Sequence, residues 1–184
     1  MKVRFKKLLP GVILPKKATE GSAAYDLYVP EDIIIKSGRQ IIPLGFAMEM
    51  KQGYEALIDP RSGFSSKGME GYEVLYISIL DTPFGTIESF AKDNMPEDSS
   101  EIIKTYTALD PERFDCDVIE GKIDADYRDG VGVIVHNHGP EFLVKAGTRI
   151  AQMTFHKVET VEWEETDTLS ETNRDGGFGS TGTK

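Results

Sequence analysis

The chain has 184 residues and a formal net charge of −10, with hydrophobic residues at 39% and charged residues at 28%. This length fits one domain, or one domain with an insertion, and the composition supports a packed core. No apolar run approaches the roughly 18 residues that a membrane-spanning helix needs. The negative charge argues against a general nucleic-acid binder, because phosphate contacts need clustered Lys and Arg. Cys116 is the single cysteine, so no disulfide can form within the chain, and a reducing, cytoplasmic compartment is expected.

Short β-type segments run through most of the chain. Runs rich in Val, Ile, Tyr and Phe are separated by Gly, Pro, Asn and Asp at intervals of roughly eight to twelve residues. Many evenly spaced strands without amphipathic helices predict a sandwich, a jelly roll or a barrel. The predicted strands are Val3–Phe5, Ala24–Tyr28, Ile33–Ile35, Gln40–Met50, Tyr54–Ile58, Val131–Val135, Glu141–Val144 and Ile150–Val158.

The segment from Met69 to Cys116 differs in composition from the rest of the chain. It holds eleven Asp or Glu against three Lys or Arg, so it accounts for −8 of the net charge and leaves −2 to the other residues. It also contains six of the 17 aromatic residues, too many for a solvated acidic tail. We therefore expect an ordered acidic insertion, with predicted helices over Ile87–Asp93 and Ser99–Thr107. The insertion is either a tolerated surface loop, a surface for a protein partner or a lid that shapes access.

Two internal polar segments have residue types that could bind phosphate or carry chemistry. Asp59–Lys67 offers a guanidinium, three hydroxyls and a glycine that permits close backbone approach, which suits phosphate oxygens. In Gly121–Arg128, Asp124 and Asp126 share a face if the chain is extended. Repulsion between the two carboxylates could raise the pKa of one of them, or the pair could hold a cation. Taken alone, each segment also has the composition of an ordinary polar turn.

The glycine-rich C-terminus, Arg174–Lys184, is a third polar segment. Its backbone N–H groups and hydroxyls could wrap a polyphosphate. Gly177 and Gly182 have the spacing of a P-loop, but Thr-Lys follows where a P-loop has Lys and then a hydroxyl residue. The segment is either a flexible tail or an arm that closes on a ligand. Phe178 favours the arm, because an aromatic side chain needs a ligand or partner on which to stack.

Other kinds of chemistry have little support in the sequence. His136 and His138 lie at i and i+2, at the start of the turn sequence Asn137–Pro140, with no Cys or third His nearby, so a zinc site is not predicted. The chain has no Gly-x-Ser-x-Gly nucleophile elbow, and Cys116 has no local His partner. Covalent catalysis is therefore not predicted.

Taken together and in order, five segments resemble the motifs of the trimeric dUTPases, the dUTP nucleotidohydrolases. The resemblance covers nearly everything outside residues 69–116. Two departures exist, because the family usually has Gly where Ala24 and Asp129 stand, and local adjustment is expected there. The five segments are Ala23–Leu27, Arg61–Ser66, Gly121–Tyr127, Arg149–Met153 and Arg174–Gly182.

The resemblance implies an all-β jelly roll of the trimeric dUTPase type. The jelly roll would span 1–158, interrupted by the acidic insertion at 69–116, and a C-terminal arm would span 159–184. The resemblance also implies a homotrimer with active sites shared between subunits, and hydrolysis of dUTP to dUMP and pyrophosphate with Mg²⁺ on the triphosphate. A protein partner at the insertion is possible, and neither nucleic acid nor a membrane is expected as a partner.

The resemblance also implies a role for individual residues. Asp124 would activate the water that attacks the α-phosphorus, and Tyr127 would pack under the deoxyribose and exclude a 2′-hydroxyl. Asp26 would help to hold metal-bound waters. The remaining substrate-binding positions would read uracil through backbone groups (Gly121, Ile123), contact or support the phosphates (Arg61, Ser62, Gly63, Gln152) and close over the substrate from the arm (Arg174, Phe178, Gly179, Ser180, Thr181).

Two other functions are compatible with parts of the sequence. The sibling dCTP deaminases carry a catalytic Glu ten residues after the aspartate that matches Asp124, where this chain has Ile134. A deaminase is therefore the less expected interpretation. A dUTP-sensing regulatory protein that signals through the insertion is an alternative from another class, although the intact Asp124 favours turnover.

Overall fold

The computed structural model describes residues 1–82, 85–91, 102–107 and 110–173, with side chains outside 75–109. Within these residues the chain is almost entirely β, and α1 (Ser62–Lys67) is the one helix. No helix in this part of the chain combines the length and the apolar character needed to cross a membrane. In chain order the strands are β1 (Arg4–Lys7), β2 (Tyr25–Tyr28), β3 (Ile33–Ile35), β4 (Gly38–Pro43), β5 (Phe46–Glu49), β6 (Tyr54–Asp59), β7 (Met69–Thr82), β8 (Gly85–Ala91), β9 (Ile102–Thr107), β10 (Glu112–Phe114), β11 (Cys116–Ile119), β12 (Gly121–Ile123), β13 (Gly132–Asn137), β14 (Phe142–Val144) and β15 (Arg149–Lys157).

The named strands pair antiparallel and form four sheets. One sheet has the order β12-β6-β15-β2, a second β11-β13-β4, and a third consists of β1 and β5. The fourth has the order β10-β7-β14-β3, with β8 and β9 also paired to β7. The all-β fold class predicted from the sequence is thereby confirmed.

The core lies between the inner faces of these sheets. Along β13, Val133 and Val135 are fully buried, whereas Ile134 between them is only partly buried. Full burial of such a side chain contributes about 1.5–3 kcal/mol, so this period-2 pattern fixes which face of the strand points inward. Phe114 and Phe142 stack in the same core, with ring centroids 4.2 Å apart.

The predicted strand over Gln40–Met50 is two strands, β4 and β5, with a turn between them. Gly45 in that turn has a φ of 70°, and a Cβ atom there would lie 2.8 Å from Cγ2 of Val12. A positive φ, together with too little space for a Cβ atom, requires glycine at this position. Gly45 thus interrupts an otherwise continuous apolar run. The other predicted strands are confirmed, with shifts of one or two residues at their ends.

The predicted helices in the acidic insertion are wrong where the structure describes them. β8 occupies Gly85–Ala91 and β9 occupies Ile102–Thr107, and both pair with the outer half of β7. Residues 92–93 and 99–101 of the predicted helices lie outside the described residues. β9 is rich in β-branched residues and pairs along β7, so pairing overrides a weak local helix preference.

Both ends of the predicted insertion belong to the core. Met69 is fully buried at the start of β7, and Phe114 in β10 pairs with it across the sheet. Gly68 has a φ of 78°, and a Cβ atom there would collide with the carbonyl oxygen of Phe114. Only glycine therefore fits where the chain entering β7 passes β10. Cys116 is also buried, and desolvation, followed by the charges of two neighbouring aspartates, raises the pKa of its thiol to about 12. The residues at both ends of the predicted insertion therefore pack in the core.

Candidate active site

A turn directly after β12 carries Asp124. β12 pairs with β6 and holds Gly121 and the buried Ile123. The backbone N–H of Tyr127 donates to the carbonyl oxygen of Asp124 at 3.2 Å, which closes the turn. Ala125 is buried in this turn, whereas Asp124 is exposed. The turn is thus anchored to the core and presents the Asp124 carboxylate to solvent.

Lys122 supplies a positive charge close to this turn. Its Nζ atom lies 2.6 Å from Oε2 of Glu55 on β6. This hydrogen bond is the main cause that raises the pKa of Lys122, and the negative charges of Glu55, Glu120 and Asp124 act in the same direction. Lys122 is therefore held in an ion pair with Glu55 next to the turn and remains protonated at neutral pH.

A cavity of about 360 Å³ opens beside the turn. Tyr127 forms part of its wall, and its hydroxyl donates to the Gly130 carbonyl oxygen at 3.1 Å. Ile41 forms another part, lying over Gly132, where a Cβ atom would come within 2.5 Å of Ile41 Cγ2. Aliphatic side chains, one aromatic ring and nearby backbone N–H and C=O groups suit a planar base with an uncharged sugar. The wall also includes Ile58, Ile119, Ile134 and the segment 121–123.

Sequence reasoning missed the aliphatic wall of this cavity. Ile41 is 68% exposed although it lies in an apolar strand. Its cross-strand partner is Ile134 on β13, one position beyond the pair formed by Ile42 and Val133. The sequence feature that points to this wall is the adjacent pair Ile41 and Ile42, whose side chains lie on opposite faces of one strand. That signal identifies a binding surface only when the register with β13 is known.

A second polar cluster centres on Asp26 in β2. The Asp26 side chain is 10% exposed, and each of its oxygens accepts from a guanidinium. Arg61 Nε donates to Oδ1 at 3.0 Å, and Arg149 Nη1 donates to Oδ2 at 3.3 Å. Gln152 on β15 lies opposite Asp26 on one side and Asp59 on the other. The structure therefore brings together Asp26, Arg61 and Gln152, three residues singled out in the sequence, and adds Arg149, while their roles toward a substrate stay predictions.

Ser62 and Gly63 begin helix α1 immediately after Arg61. Both are exposed, whereas Phe64 is buried and fixes the helix to the core. The first N–H groups of a helix have no partner within it, so this end of α1 offers donors next to the guanidinium of Arg61. Three neighbouring residues thus present hydroxyl, backbone and guanidinium donors suitable for phosphate oxygens.

Asp124 and Arg61 lie at opposite ends of β6 within one chain. β12 runs antiparallel to β6, so the chain leaving Ile123 reaches Asp124 beside Glu55, near the start of β6. Arg61 follows the other end of β6. Six residues of extended chain span roughly 20 Å. The structure of one chain therefore does not bring the predicted catalytic carboxylate together with the cluster predicted to bind phosphates.

The arm residues predicted to contact substrate stay predictions. Arg174, Phe178, Gly179, Ser180 and Thr181 lie outside the described residues. The preceding segment, 158–173, forms no strand or helix, and its single tryptophan, Trp163, is 93% exposed.

A family model described as dUTPase matches residues 11–77 and 115–182, well over half of the chain. The chain belongs to the dUTPase family. A deoxyuridine 5′-triphosphate nucleotidohydrolase of Anaplasma marginale (strain St. Maries) is 33% identical over 190 aligned positions, which cover 100% of this chain and 99% of that protein. The resemblance found in the five motifs is thereby confirmed.

Solved dUTPase structures share the fold. The Staphylococcus bacteriophage 80alpha dUTPase with dUPNHPP superimposes with a TM-score of 0.68 at 19% identity, over 99% of each chain. A point mutant of the dUTPase from phage phi11 of S. aureus, solved to show the coordination of a structural Mg(II) ion, gives a TM-score of 0.62 at 15% identity. That alignment covers 92% of this chain and 99% of the phage protein. The family match itself skips residues 78–114, which include β8, β9 and β10.

Proposed function

We propose that this dUTPase-family chain hydrolyses dUTP to dUMP and pyrophosphate. The observation that carries the proposal is the turn after β12, which presents Asp124 and Tyr127 together beside an apolar cavity lined by backbone groups. The names of the curated relatives, full-length matches at about one-third identity, support the same activity. Arg61, held beside Asp26, supplies guanidinium donors that a triphosphate requires.

Asp124 acts as the general base in this proposal. Its carboxylate accepts a proton from a water molecule as the water oxygen bonds to the α-phosphorus, and the bond from that phosphorus to the bridging oxygen breaks, releasing pyrophosphate. General base catalysis typically contributes about 10²–10⁴ in rate. Guanidinium and backbone donors at the second cluster stabilise the charge that develops on the phosphate oxygens.

Mg²⁺ is proposed as the cofactor, bound mainly through the substrate. The described residues contain no group of three or more His, Cys, Asp or Glu that could form a protein cage for a metal. Mg²⁺ commonly binds through phosphates and one or two carboxylates while it keeps several waters, so the donor set fits a hydrated ion. Asp26 would contact that ion through water, since both of its oxygens already accept from arginines. When bound, Mg²⁺ supplies neutralisation of the triphosphate charge.

The active unit is proposed to be a cytoplasmic homotrimer with shared sites. The separation of Asp124 from Arg61 along β6 supports sharing, because one bound dUTP must meet a base, a sugar-binding ring and phosphate donors together. Asp124 and Tyr127 of one protomer would then act on a triphosphate held by Arg61 of another.

A dCTP deaminase and a pure dUTP sensor are less consistent with the site. Ile134, at the position of the deaminase glutamate, lines the apolar cavity and cannot transfer a proton. A sensor has no need for an exposed carboxylate on an anchored turn, which Asp124 provides.

Hydrolysis in ¹⁸O-labelled water tests the proposed reaction directly. Attack on the α-phosphorus places the label in dUMP and leaves pyrophosphate unlabelled. Label in pyrophosphate, or release of inorganic phosphate instead of pyrophosphate, would contradict the mechanism.

Substitution of Tyr127 tests how the site discriminates between sugars. A ring packed against C2′ rejects UTP by steric clash and by burying a hydroxyl without a partner. Tyr127→Ala should lower the ratio of kcat/KM for dUTP over UTP by at least about tenfold, or roughly 1.4 kcal/mol. Tyr127→Phe is the matched control, because it keeps the ring and removes only the hydrogen bond to Gly130. An unchanged ratio in Tyr127→Ala would mean that another element reads the sugar.

The acidic excursion formed by the outer half of β7 with β8 and β9 is proposed as a surface for a protein partner. β8 and β9 pair with β7, and residues 75–109 hold six Asp or Glu against two Lys, a net charge of −4. Such charge near a triphosphate would repel it, which disfavours a role in substrate binding.

A shortened hairpin tests whether the excursion is needed for turnover. Tyr76 and Thr105 are cross-strand partners, so replacing residues 77–104 by Asn-Gly should join β7 to β9 through a two-residue turn. We expect a folded protein with kcat/KM for dUTP within about tenfold of the full chain. Replacing residues 70–115 is the contrasting variant, and it should fail to fold because it removes the buried Val74 and Phe114. A large activity loss in the 77–104 variant, with folding intact, would place the excursion in the active site.

A further inference from the structure

Arg149 is not among the residues that the five motifs mark for substrate contact, yet it binds the buried carboxylate of Asp26. The same carboxylate holds Arg61, so one buried anion separates two guanidiniums. The Arg61 side chain is 25% exposed and the Arg149 side chain 48%. Each arginine gives a single N–H to Asp26, and each gives it to a different oxygen.

A register shift in β15 places Arg149 beside Asp26. Arg149 pairs with Tyr28 and Ala151 pairs with Leu27, so two steps along β15 match one step along β2. Without this irregularity, Arg149 and Gln152 would point to opposite faces of the sheet, because they lie three residues apart. The extra residue re-aims one side chain, as β-bulges do, and brings Arg149 to the face on which Asp26 meets Arg61.

We propose that Arg149 is a positioning residue for phosphate binding, which acts by occupying one oxygen of Asp26 and so keeps Arg61 monodentate. This inference rests on the proposed dUTP hydrolysis. In the observed arrangement Arg61 uses only Nε toward Asp26, and its two terminal amino groups make no hydrogen bond to another described residue. Those groups are the planar donors that bind phosphate oxygens.

Removal of Arg149 changes what Arg61 can do. An arginine facing a carboxylate with both oxygens available prefers a bidentate arrangement with two parallel N–H donors. Once Oδ2 is released, Arg61 turns to take both oxygens, and a terminal amino group is withdrawn from the phosphates. The loss of Arg149 thus weakens substrate binding through Arg61, without Arg149 itself touching the substrate.

Conservative and non-conservative variants separate this role from a direct contact. Arg149→Met should lower kcat/KM for dUTP by about 10–100-fold, the usual effect of a misplaced binding group. Arg149→Lys should keep most of the kcat/KM of the unmutated protein, since one N–H donor and a positive charge suffice to occupy Oδ2 of Asp26. At position 61, by contrast, kcat/KM for the Arg61→Lys variant should stay low. A lysine there cannot provide both the Asp26 contact and planar phosphate donors.

A double-mutant cycle decides between the two roles. If Arg149 acts only through Arg61, then Arg61→Met combined with Arg149→Met should be no worse than Arg61→Met alone, within about twofold. The proposal would be overturned if the loss of kcat/KM in the double variant equalled the product of the two single losses. It would also be overturned if Arg149→Met kept the kcat/KM of the unmutated protein. Arg149→Gln replaces Arg149→Met if the latter does not fold, as judged by its thermal midpoint, and the same outcomes apply. Absence of dUTP turnover in the unmutated protein would overturn the proposed function instead, and the two failures are therefore distinguishable.

Discussion

Replacing Asp124 by Asn should lower kcat for dUTP by about 10²–10⁴-fold, with little change in dUTP binding. The substitution keeps the shape of the side chain and removes its ability to accept a proton from water. Asp124 is exposed on its turn, and its carboxylate makes no hydrogen bond to another described residue, so the fold should not change. Steady-state kinetics with a pyrophosphate-release assay and a thermal unfolding midpoint measure both effects.

Asp126→Asn is the matched control for this prediction. Asp126 is an exposed carboxylate on the same turn, two residues away, and its substitution alters the local charge to the same extent. We expect its kcat to stay within a fewfold of the unmutated enzyme. Near-normal turnover by Asp124→Asn, or an equal loss in both variants, would mean that Asp124 is not the base.

Removal of the C-terminal arm should lower kcat for dUTP strongly, with an effect second only to that of Asp124→Asn. A chain ending at Thr172 lacks Arg174, Phe178 and the hydroxyls of Ser180 and Thr181, all predicted to close over the substrate. We expect kcat to fall by at least about 10²-fold, because closure orients the triphosphate and excludes water. Circular dichroism should show an intact β fold, since every core residue in the described part of the chain lies before residue 158.

A shorter truncation provides the control for the arm. Removal of only Thr183 and Lys184 leaves every residue within the family match, which ends at 182. This variant should keep full activity, and Phe178→Ala in the full chain should reproduce part of the loss. Unaltered kinetics in the chain ending at Thr172 would show that the arm does not take part in the reaction.

Much of the fold could be predicted because the hydrophobic pattern and the sheet agree. In β13, burial alternates from Gly132 to Asn137, and the strand Val131–Val135 was predicted from its Val- and Ile-rich sequence. Asp26, Arg61 and Gln152 come from three separate motifs and meet in one cluster in the structure, whereas their roles toward a substrate stay predictions.

The missed features depend on partners that are distant in sequence. β8 and β9 are strands because β7 offers them edges with which to pair, and although β9 is rich in β-branched residues, its local sequence does not identify β7 as its partner. Arg149 reaches Asp26 only because the register shifts along β15. Ile41 lines a cavity only because Gly132 on the neighbouring strand leaves room for it.

The most direct test of the account is pyrophosphate release from dUTP, dCTP, dTTP and UTP at equal concentrations. The cavity beside Tyr127 and the carboxylate of Asp124 predict turnover of dUTP with kcat/KM at least about 10²-fold above the other three nucleotides. Release of ammonia from dCTP, or tight binding of dUTP without any pyrophosphate, would contradict the assignment of this chain as a dUTP hydrolase.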